Sequence, residues 1–541
     1  MRGATSAKWV AGAVVVALAA TACSTSKDNK EKPAGGGSIT VQLGEPQHGL
    51  VGQNTAESEG AEVLNALFTG LVDYDNKTNE PKLAVAESIE SPDSKVWTIK
   101  LKDGYTFHNG EKVDAQSFVR AWNWGANQDN AAEAMPFFSK IDGSDELAPG
   151  KDKKPTAKEL KGLKVVDEKT FTVTLKAPFS QFKTMLGYNA FYPLPKAFEA
   201  DPKAFGEKPI GNGPFQMDGA WEHNKQIKVK RYDNYPAEGR AKLAGVTFKI
   251  YDSLDTAYND LRTDAIQITD KLPVSAMATV SAEFGDRYIY KPESAVGYIG
   301  FPIATNPEAF GKPEIRKAIS MAIDRDAITK TIFNGTRKPA DDFISPIVPG
   351  YRKGALGESG TYNPGKAKEL WTQAGGVPDN KIELGYNADG GHKEWIEAVA
   401  NQLKTNLGVD VTAKPFAKFG DLLTDLGDKK YKGGFRMAWS MDYPAAENYL
   451  RPLFSKVAIE NGSNYGGYVN EEFEKTMKEA DEAADPKKGL ELYQKADDII
   501  IKDLPYIPVF TYMSSSAYSK SVKNVEVDAQ GRMDLANVEL N

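Results

Sequence analysis

Residues 97–104 read Trp97-Thr98-Ile99-Lys100-Leu101-Lys102-Asp103-Gly104, and residues 107–111 read Phe107-His108-Asn109-Gly110-Glu111. Apolar and polar side chains alternate over residues 96–101, as in a half-buried β-strand, and turn residues follow at Asp103-Gly104. A second alternating stretch spans residues 171–175. Between the two strands Asp114 can cap a helix. The apolar face of that helix includes Phe118, Val119 and Trp122.

The rest of the chain mixes both kinds of element. Ile39, Val41 and Leu43 alternate as in a strand. Apolar residues spaced three or four positions apart predict helices elsewhere. These helices cover residues 62–71, 313–333, 394–407, 471–484 and 487–502. Because strands and helices follow no strict βαβ rhythm, the pattern predicts a multi-lobed α+β or α/β architecture.

The composition of the chain excludes several classes of function. The chain has 541 residues, a formal net charge of -7, one cysteine and four histidines. That length predicts two to four folding units. An acidic chain lacks the basic surface of a nucleic-acid binder, so no nucleic-acid partner is expected. A single cysteine excludes an intrachain disulfide and a cysteine-cluster metal site.

The N-terminus has the pattern of an export signal. A short basic region precedes an apolar run of residues 9–20, which is too short to span a bilayer. Small residues then lead to Cys23, and this arrangement resembles a bacterial lipobox. We expect a signal peptide at residues 1–22, a lipidated Cys23 and a flexible tether at residues 23–37 that anchors the body to the outer face of the cell membrane. The alternative is a cleaved signal with an incidental cysteine.

Motifs of the common enzyme classes are absent from the sequence. There is no GxxxxGK[ST] phosphate loop, HExxH, GxSxG elbow or EF-hand loop. Gly211-Asn212-Gly213-Pro214 begins like a dinucleotide motif, but Gln216 stands where its third glycine belongs. Adjacent acidic residues such as Asp497-Asp498 are usually solvated. We therefore expect no catalytic residues, no cofactor and no metal site.

Six segments show a family resemblance. They are residues 64–75 with 81–84, residues 97–115, Gly211-Asn212-Gly213-Pro214-Phe215, residues 314–324, Trp439-Ser440-Met441-Asp442-Tyr443-Pro444, and residues 504–510. In this order they resemble the extracytoplasmic solute-binding proteins of peptide ABC transporters, the oligopeptide- and dipeptide-binding lipoprotein family. Lys102 and Lys112 depart from the family pattern, which has Arg and Pro there.

The resemblance implies an α/β fold of the periplasmic-binding-protein kind. Two lobes would enclose a deep, hinge-closed cleft, and lobe I would carry an extra subdomain. Lobe I would comprise residues 38–57, 187–295 and 512–541, the subdomain residues 58–186, and lobe II residues 296–511. The protein would be a monomer that receives peptides and delivers them to the permease subunits of an ABC importer.

The resemblance also implies a ligand site. An α-ammonium buried in a cleft needs a carboxylate, because an unpaired buried charge is costly. In the family an aspartate of the Trp-x-x-Asp-Tyr segment has that role, and here it matches Asp442; the alternative is a loop aspartate that caps a turn. Arg436 would meet a peptide carboxylate, or would be a surface arginine on an edge strand. The complete predicted set is Asp442, Trp439, Tyr443, Arg436, Tyr298 and Asn448.

The sequence leaves alternatives to peptide import open. The same scaffold could hold a sugar, an opine-like compound or a metal chelate. A secreted hydrolase is disfavoured by the missing nucleophile motifs. A signalling receptor or an extracytoplasmic chaperone that binds peptides without transport has no feature in the sequence that separates it from an import receptor.

Overall fold

The computed structural model describes residues 36–150 and 153–541. The predicted signal peptide, the predicted lipidation site Cys23 and the tether up to residue 35 lie outside these ranges. No helix within the described ranges is both long enough and apolar enough to cross a membrane.

Strands and helices alternate irregularly along the chain, as the sequence predicts. The strands are β1 (Ser38–Leu43), β2 (Val72–Tyr74), β3 (Pro81–Leu83), β4 (Ala86–Glu90), β5 (Val96–Leu101), β6 (Leu163–Asp167), β7 (Thr170–Thr174), β8 (Phe215–Met217), β9 (Gln226–Arg231), β10 (Gly245–Ile250), β11 (Ile268–Thr269), β12 (Tyr288–Gly300), β13 (Arg337–Pro339), β14 (Lys381–Asn387), β15 (Asp410–Phe416), β16 (Gly434–Trp439), β17 (Tyr506–Tyr518), β18 (Val522–Lys523) and β19 (Glu539–Leu540).

The α-helices are α1 (Ser58–Leu67), α2 (Ala115–Ala126), α3 (Ser144–Leu147), α4 (Phe182–Met185), α5 (Pro202–Glu207), α6 (Leu254–Arg262), α7 (Val280–Phe284), α8 (Pro307–Phe310), α9 (Pro313–Met321), α10 (Arg325–Thr331), α11 (Gly357–Gly360), α12 (Pro364–Ala374), α13 (Lys393–Leu407), α14 (Phe419–Gly427), α15 (Glu447–Phe454), α16 (Ala458–Asn461), α17 (Glu471–Asp481) and α18 (Pro486–Asp503).

A large mixed sheet runs through the molecule. Its strand order is β15-β14-β16-β12-β17-β11-β1-β10-β9-β8, and β13 pairs with β17 beside this path. The long antiparallel strands β12 and β17 have different neighbours at their two ends. At one end β17 borders β11, and at the other end β16 borders β12 while β13 borders β17. These two strands therefore connect the two halves of the sheet.

The pairing of β12 and β17 is irregular in the middle. Pro292 pairs with Met513, and the next paired residue of β12, Val296, lies opposite Thr511. Three residues of β12 thus face one residue of β17, which is a bulge, and Pro292 lacks a backbone donor. The ladder of backbone hydrogen bonds between β12 and β17 is therefore interrupted where the two strands cross from one half of the sheet to the other.

A separate four-stranded sheet of order β4-β5-β7-β6 confirms the strands predicted at residues 96–101 and 171–175. Exposed and buried residues alternate strictly along β5. The Asp114 side chain accepts a hydrogen bond from the Ser117 amide at 2.8 Å and forms a capping box at the start of α2. The predicted apolar face of α2 is buried.

Two predicted helices have different bounds in the structure. Residues 313–333 form two helices because the Asp324 side chain accepts a hydrogen bond from the Ala327 amide at 2.9 Å and caps α10. The helix predicted at residues 62–71 is α1, which ends at Leu67. The Gly213 amide donates to the Leu67 carbonyl at 2.8 Å, and a Cβ atom at Gly211 would lie 1.9 Å from that oxygen. The glycines of this motif thus allow close packing against the end of α1.

The buried apolar residues form two large clusters and one small cluster. The first cluster combines residues between 39 and 268 with residues 522–538. The second combines residues 296–510 with Ala529. The small cluster lies between residues 257 and 284 and includes Ala517. The lobe and subdomain boundaries given above stay predictions.

Candidate functional site

The segment that joins β16 to α15 lies between the two large clusters. Met441 and Ala446 pack in the second cluster, whereas Tyr443 and Ala445 pack in the first. The side chains of this segment are therefore shared between two apolar cores. Asp442, which lies between Met441 and Tyr443 in the chain, stands at the boundary of these cores.

Asp442 is held by one neighbouring side chain. Asn448 in the first turn of α15 is 2% exposed; its Nδ2 donates to the Asp442 Oδ2 at 3.0 Å, and its Oδ1 accepts from the Asp442 amide at 2.8 Å. Burial raises the pKa of Asp442 to about 6, although the Asn448 hydrogen bond acts in the opposite direction. No lysine or arginine in the described ranges forms an ion pair with this carboxylate. The site thus contains a partly buried acidic group without a cationic partner among the described residues.

Three tyrosines lie near enough to Asp442 for its charge to affect their pKa values. Burial raises the pKa of Tyr188, Tyr443 and Tyr449, and the charge of Asp442 adds to the effect in each case. The Tyr449 hydroxyl donates to the Ser294 carbonyl. The tyrosines near Asp442 carry no positive charge, so they do not supply a cationic partner for its carboxylate.

The adjacent acidic residues differ from Asp442 because they are paired. The Glu447 Oε1 lies 2.5 Å from the Arg451 Nε, and the Arg451 Nη2 lies 2.5 Å from the Asp481 Oδ2. The Tyr443 hydroxyl donates to the Glu447 carboxylate. Tyr443 thus binds a buried ion-pair network, and its own position in the site is structural.

Trp439 and Arg436 lie on β16 just before the Asp442 segment. Trp439 pairs with Val296 of β12 and is partly buried; its Nε1 has no hydrogen-bond partner among the described residues. The Arg436 Nη1 donates to the Asn387 Oδ1 at 2.8 Å, and the guanidinium lies 5.5 Å from the centre of the Phe419 ring. Trp439 therefore lies at the end of β16, three residues before Asp442. The Arg436 guanidinium lies against Asn387 and Phe419.

Tyr298 lies in the core of the second cluster. It is 2% exposed and stacks on Tyr506 with a ring separation of 5.1 Å. Its hydroxyl has no hydrogen-bond partner in the described part of the chain. We therefore leave Tyr298 out of the site proposed below.

A cavity of about 550 Å³ adjoins the Asp442 segment at Met441. Its walls come from the end of α1, from β2 and β3, and from residues 526–537 near the C-terminus. Tyr74, whose pKa is raised chiefly by burial and slightly by Asp442, is one of the lining residues. Open volume thus lies directly beside the segment that carries Asp442.

Sequence reasoning missed a second group of charged residues, which lies at the crossing of β12 and β17. Lys271 forms an isolated bridge with Ser515 of β17, Glu293 lies in the bulge of β12, and Arg337 begins β13. These residues are far apart in the sequence and meet only through strand pairing. No local motif could have identified them.

Comparison with known proteins supports the assignment made from the six segments. Residues 80–461, more than half of the chain, match the family described as "Bacterial extracellular solute-binding proteins, family 5 Middle". The chain belongs to this family. Family 5 membership makes it an extracytoplasmic solute-binding protein, and the members it resembles are binding proteins.

Relatives in family 5 match over nearly the whole chain. Oligopeptide-binding protein OppA of Bacillus subtilis strain 168 is 26% identical over 89% of this chain and 88% of its own length. Periplasmic oligopeptide-binding protein OppA of Salmonella typhimurium strain LT2 is 28% identical over 95% of both chains. The crystal structure of Haemophilus influenzae OppA in complex with RPPGFSPFR is 25% identical, with a TM-score of 0.73 over 93% of this chain and 98% of that chain.

The structural likeness to family 5 confirms the predicted fold class, a two-lobed α/β fold of the periplasmic-binding-protein kind. In the described ranges no group of three or more His, Cys, Asp or Glu side chains is arranged to hold a metal ion.

Proposed function

We propose that this protein is a membrane-anchored receptor that binds peptides between its lobes and delivers them to the permease subunits of an ABC importer. The observation that carries the proposal is the partly buried Asp442 carboxylate, which has no cationic partner among the described residues. A free peptide supplies the missing cation as its α-ammonium group. The receptor itself catalyses no reaction; separate ATPase subunits supply the energy for transport.

Electrostatics favours an ammonium ligand at this position. Burial disfavours the ionised form of the Asp442 carboxyl group and raises its pKa to about 6. A cation that arrives with its own hydrogen-bond donors removes this penalty and forms a charge-assisted hydrogen bond. Asn448 holds one carboxylate oxygen and leaves the other for the ligand. Binding energy thus comes from completing a pair that the free protein lacks.

The remainder of a peptide would be recognised mainly through its backbone. The end of β16 at Trp439 stands beside β12, and the Trp439 Nε1 is an unused donor in the described structure. Backbone carbonyls of an extended chain are suitable acceptors, and pairing of this kind is largely independent of side-chain identity. The relatives named oligopeptide-binding proteins support peptides as the ligand class.

Thermal unfolding in the presence of peptides tests this function. The chain from residue 24 onward, refolded to remove bound ligand, would be heated with free-amino peptides of two to six residues and with the same peptides N-acetylated. A ligand that binds only the native state stabilises it by about 2.7 kcal/mol at a hundredfold excess over Kd. We expect a rise in Tm that shrinks on acetylation.

The Asp442→Asn variant is the matched test of the anchor. It should lose most of the stabilisation by free-amino peptides and little of that by acetylated peptides. Equal losses for both kinds of peptide would remove Asp442 from the ammonium site. No stabilisation of the unsubstituted protein by any peptide would contradict the peptide function and favour a non-peptide solute.

Membrane attachment through Cys23 belongs to the same proposal. The apolar run, the small residues and the position of the only cysteine support it. Fractionation of cells that express the full chain should find the protein with the membrane, and Cys23→Ser should release it. Equal membrane association of both forms would contradict lipid anchoring.

A further inference from the structure

A second cavity, of about 340 Å³, lies beside helix α2. The helix residues that line it are about one turn apart and therefore share one face: Gln116, Arg120, Asn123 with Trp124, and Asn127 at the end of the helix. Its other walls come from residues 158–159 and 198–202. None of the described lining residues belongs to β12, β16, β17 or the segment that carries Asp442. The cavity is therefore separate from the proposed peptide site.

Trp124 gives this cavity a partly exposed aromatic surface. Its ring lies 5.1 Å from the ring of the buried Phe198 at an angle of 88°, an edge-to-face contact. The Asn130 Nδ2 donates to the Trp124 carbonyl at 2.8 Å. The indole is thus fixed before any ligand arrives, so a ligand that packs on it loses little affinity to the ordering of this side chain.

The amide side chains of the cavity have unused donors. The Asn123 Oδ1 accepts from the Leu160 amide at 2.7 Å, and the Asn127 Oδ1 accepts from the Asp129 amide at 3.0 Å. The Nδ2 groups of these two asparagines donate to no residue in the described ranges. The exposed Gln116 side chain forms no hydrogen bond there either. The oxygens therefore fix the asparagine side chains, and the amino groups remain for a ligand.

The charged residues that line the cavity balance one another. Arg120 and Lys158 are cationic, and Glu159 and Glu199 are anionic. The Arg120 Nε lies 3.5 Å from the Glu199 Oε1, and the Arg120 Nη1 donates to the Leu194 carbonyl at 2.7 Å. A charged ligand would find no excess of the opposite charge here. A neutral ligand with many hydroxyl groups would find both donors and acceptors.

We propose that the cavity beside α2 is a second ligand site, which binds a neutral oligosaccharide against Trp124. One face of a sugar ring carries C–H groups, which pack against the electron-rich face of an indole. The hydroxyl groups at the edge of the ring both donate and accept hydrogen bonds, and they match the amide amino groups and the two carboxylates. The volume lies within the range of about 300–1,000 Å³ that is usual for small-molecule sites. This inference does not depend on the proposed peptide function.

Saturation-transfer NMR tests the site. The full chain, expressed with Cys23→Ser so that it is released from the membrane, would be titrated with maltotriose, cellotriose and tri-N-acetylchitotriose. We expect at least one of these trisaccharides to bind. Trp124→Ala should abolish the binding, whereas Asp442→Asn should leave it unchanged because Asp442 lies outside the cavity. Thermal unfolding of each variant without ligand reports whether it is folded.

A milder variant keeps the indole and removes two of the donors. Gln116→Ala combined with Asn127→Ser deletes two amide amino groups, and serine still accepts from the Asp129 amide as a capping residue. Affinity for the trisaccharide should fall about ten- to hundredfold. The matched control is Asn363→Ser, which replaces the capping asparagine of α12 outside the cavity and should change no sugar affinity.

Free oligosaccharides and polysaccharides of a cell surface share the chemistry proposed here. Sedimentation of the same protein with insoluble cellulose and chitin distinguishes these two sources. Sedimentation that requires Trp124 would identify a polysaccharide as the ligand. Binding of a trisaccharide without sedimentation would identify a free oligosaccharide, and either result supports the site.

Three results would overturn the inference. If neither the trisaccharides nor the polysaccharides bind, the cavity is not a sugar site. If sugar binding persists in Trp124→Ala and disappears in Asp442→Asn, the sugar occupies the site proposed for peptides. If Gln116→Ala with Asn127→Ser binds as tightly as the unsubstituted protein, the amide groups have no part in recognition. Each of the first and third results leaves the peptide function standing, because that function is tested with peptides at Asp442.

Discussion

At the scale of single residues, function and stability oppose each other at Asp442. Its carboxyl is easier to protonate in the folded chain than in the unfolded chain, where the usual value is 3.8. The ionised form therefore destabilises the fold above the folded pKa of about 6, and this cost disappears as the pH falls below the unfolded value. If Asp442 only stabilised the turn before Pro444, an uncharged residue could do so without this loss of stability.

Substitution of Asp442 by Asn should therefore raise the stability of the ligand-free protein. The shift of about two pKa units corresponds to as much as about 3 kcal/mol at pH 8, because each unit is about 1.4 kcal/mol. At pH 4 the variant and the unsubstituted protein should be nearly equal. Thermal unfolding at both pH values measures the effect, and an Asp442→Asn variant that is less stable at pH 8 would contradict the description of this carboxyl group.

Peptide affinity should depend on pH through the same group. An ammonium ligand requires the ionised carboxylate, and protons compete for it below its pKa of about 6. The Kd for free-amino peptides should rise about tenfold between pH 7 and pH 5. N-acetylated peptides, and the Asp442→Asn variant with any peptide, serve as controls that should change much less. A flat pH profile for free-amino peptides would show that Asp442 does not bind the ammonium group.

At the scale of elements, helix α15 has two roles that its sequence does not reveal. Asn448 orients Asp442, whereas Glu447 and Arg451 connect the helix to α17 through Asp481. The predicted helical pair α17 and α18 is confirmed, but its attachment to α15 depends on packing. Local patterns predict elements of this kind, and they do not predict which buried charges meet.

Arg451 should be essential for the stability of this region. Arg451→Met leaves the buried Glu447 with only Lys140 at 4.0 Å and leaves the partly buried Asp481 without its arginine, and a broken buried pair costs about 3–5 kcal/mol. The control is Lys478→Met, which removes an exposed pair with Glu482 on α17 and should cost under about 1 kcal/mol. Chemical unfolding of both variants gives the comparison, and similar small losses would mean that the Arg451 network is solvated.

The sequence predicts elements better than their contacts. The strand at residues 96–101 and the cap at Asp114 depend on neighbours in the chain, and both are confirmed. The break between α9 and α10 was missed because the apolar spacing continues through it. The role of Asp442 was predicted only through a family resemblance. The charged group at the crossing of β12 and β17 could not be predicted, because Arg337 and its strand partner Tyr512 lie 175 residues apart in the sequence.

At the scale of the whole molecule, several contacts join the chain segments that carry the two large clusters. The Asn79 Nδ2 donates to the Ile347 carbonyl at 2.7 Å, and the Ser180 amide donates to the Asp481 carbonyl at 2.8 Å. The Lys140 Nζ lies 4.0 Å from the Glu447 Oε1. These contacts lie apart from the strands β12 and β17 that connect the halves of the sheet. They can form only when the two cores are close together.

Lys140 should therefore influence peptide binding without touching the ligand. If opening of the lobes separates Lys140 from Glu447, then Lys140→Met weakens only the closed state, and a ligand held by that state dissociates faster. We expect dissociation about three- to tenfold faster and an association rate that is nearly unchanged, because removal of such a contact shifts the equilibrium by about 1 kcal/mol.

The ligand dependence of this effect separates it from a direct contact. Free-amino and N-acetylated peptides should lose the same factor in Lys140→Met, whereas Asp442→Asn discriminates between them. Stopped-flow fluorescence provides both rates. An unchanged dissociation rate would mean that Lys140 and Glu447 stay together in every state of the protein, and the segment that carries Asp442 would then be fixed to both cores while the ligand enters and leaves.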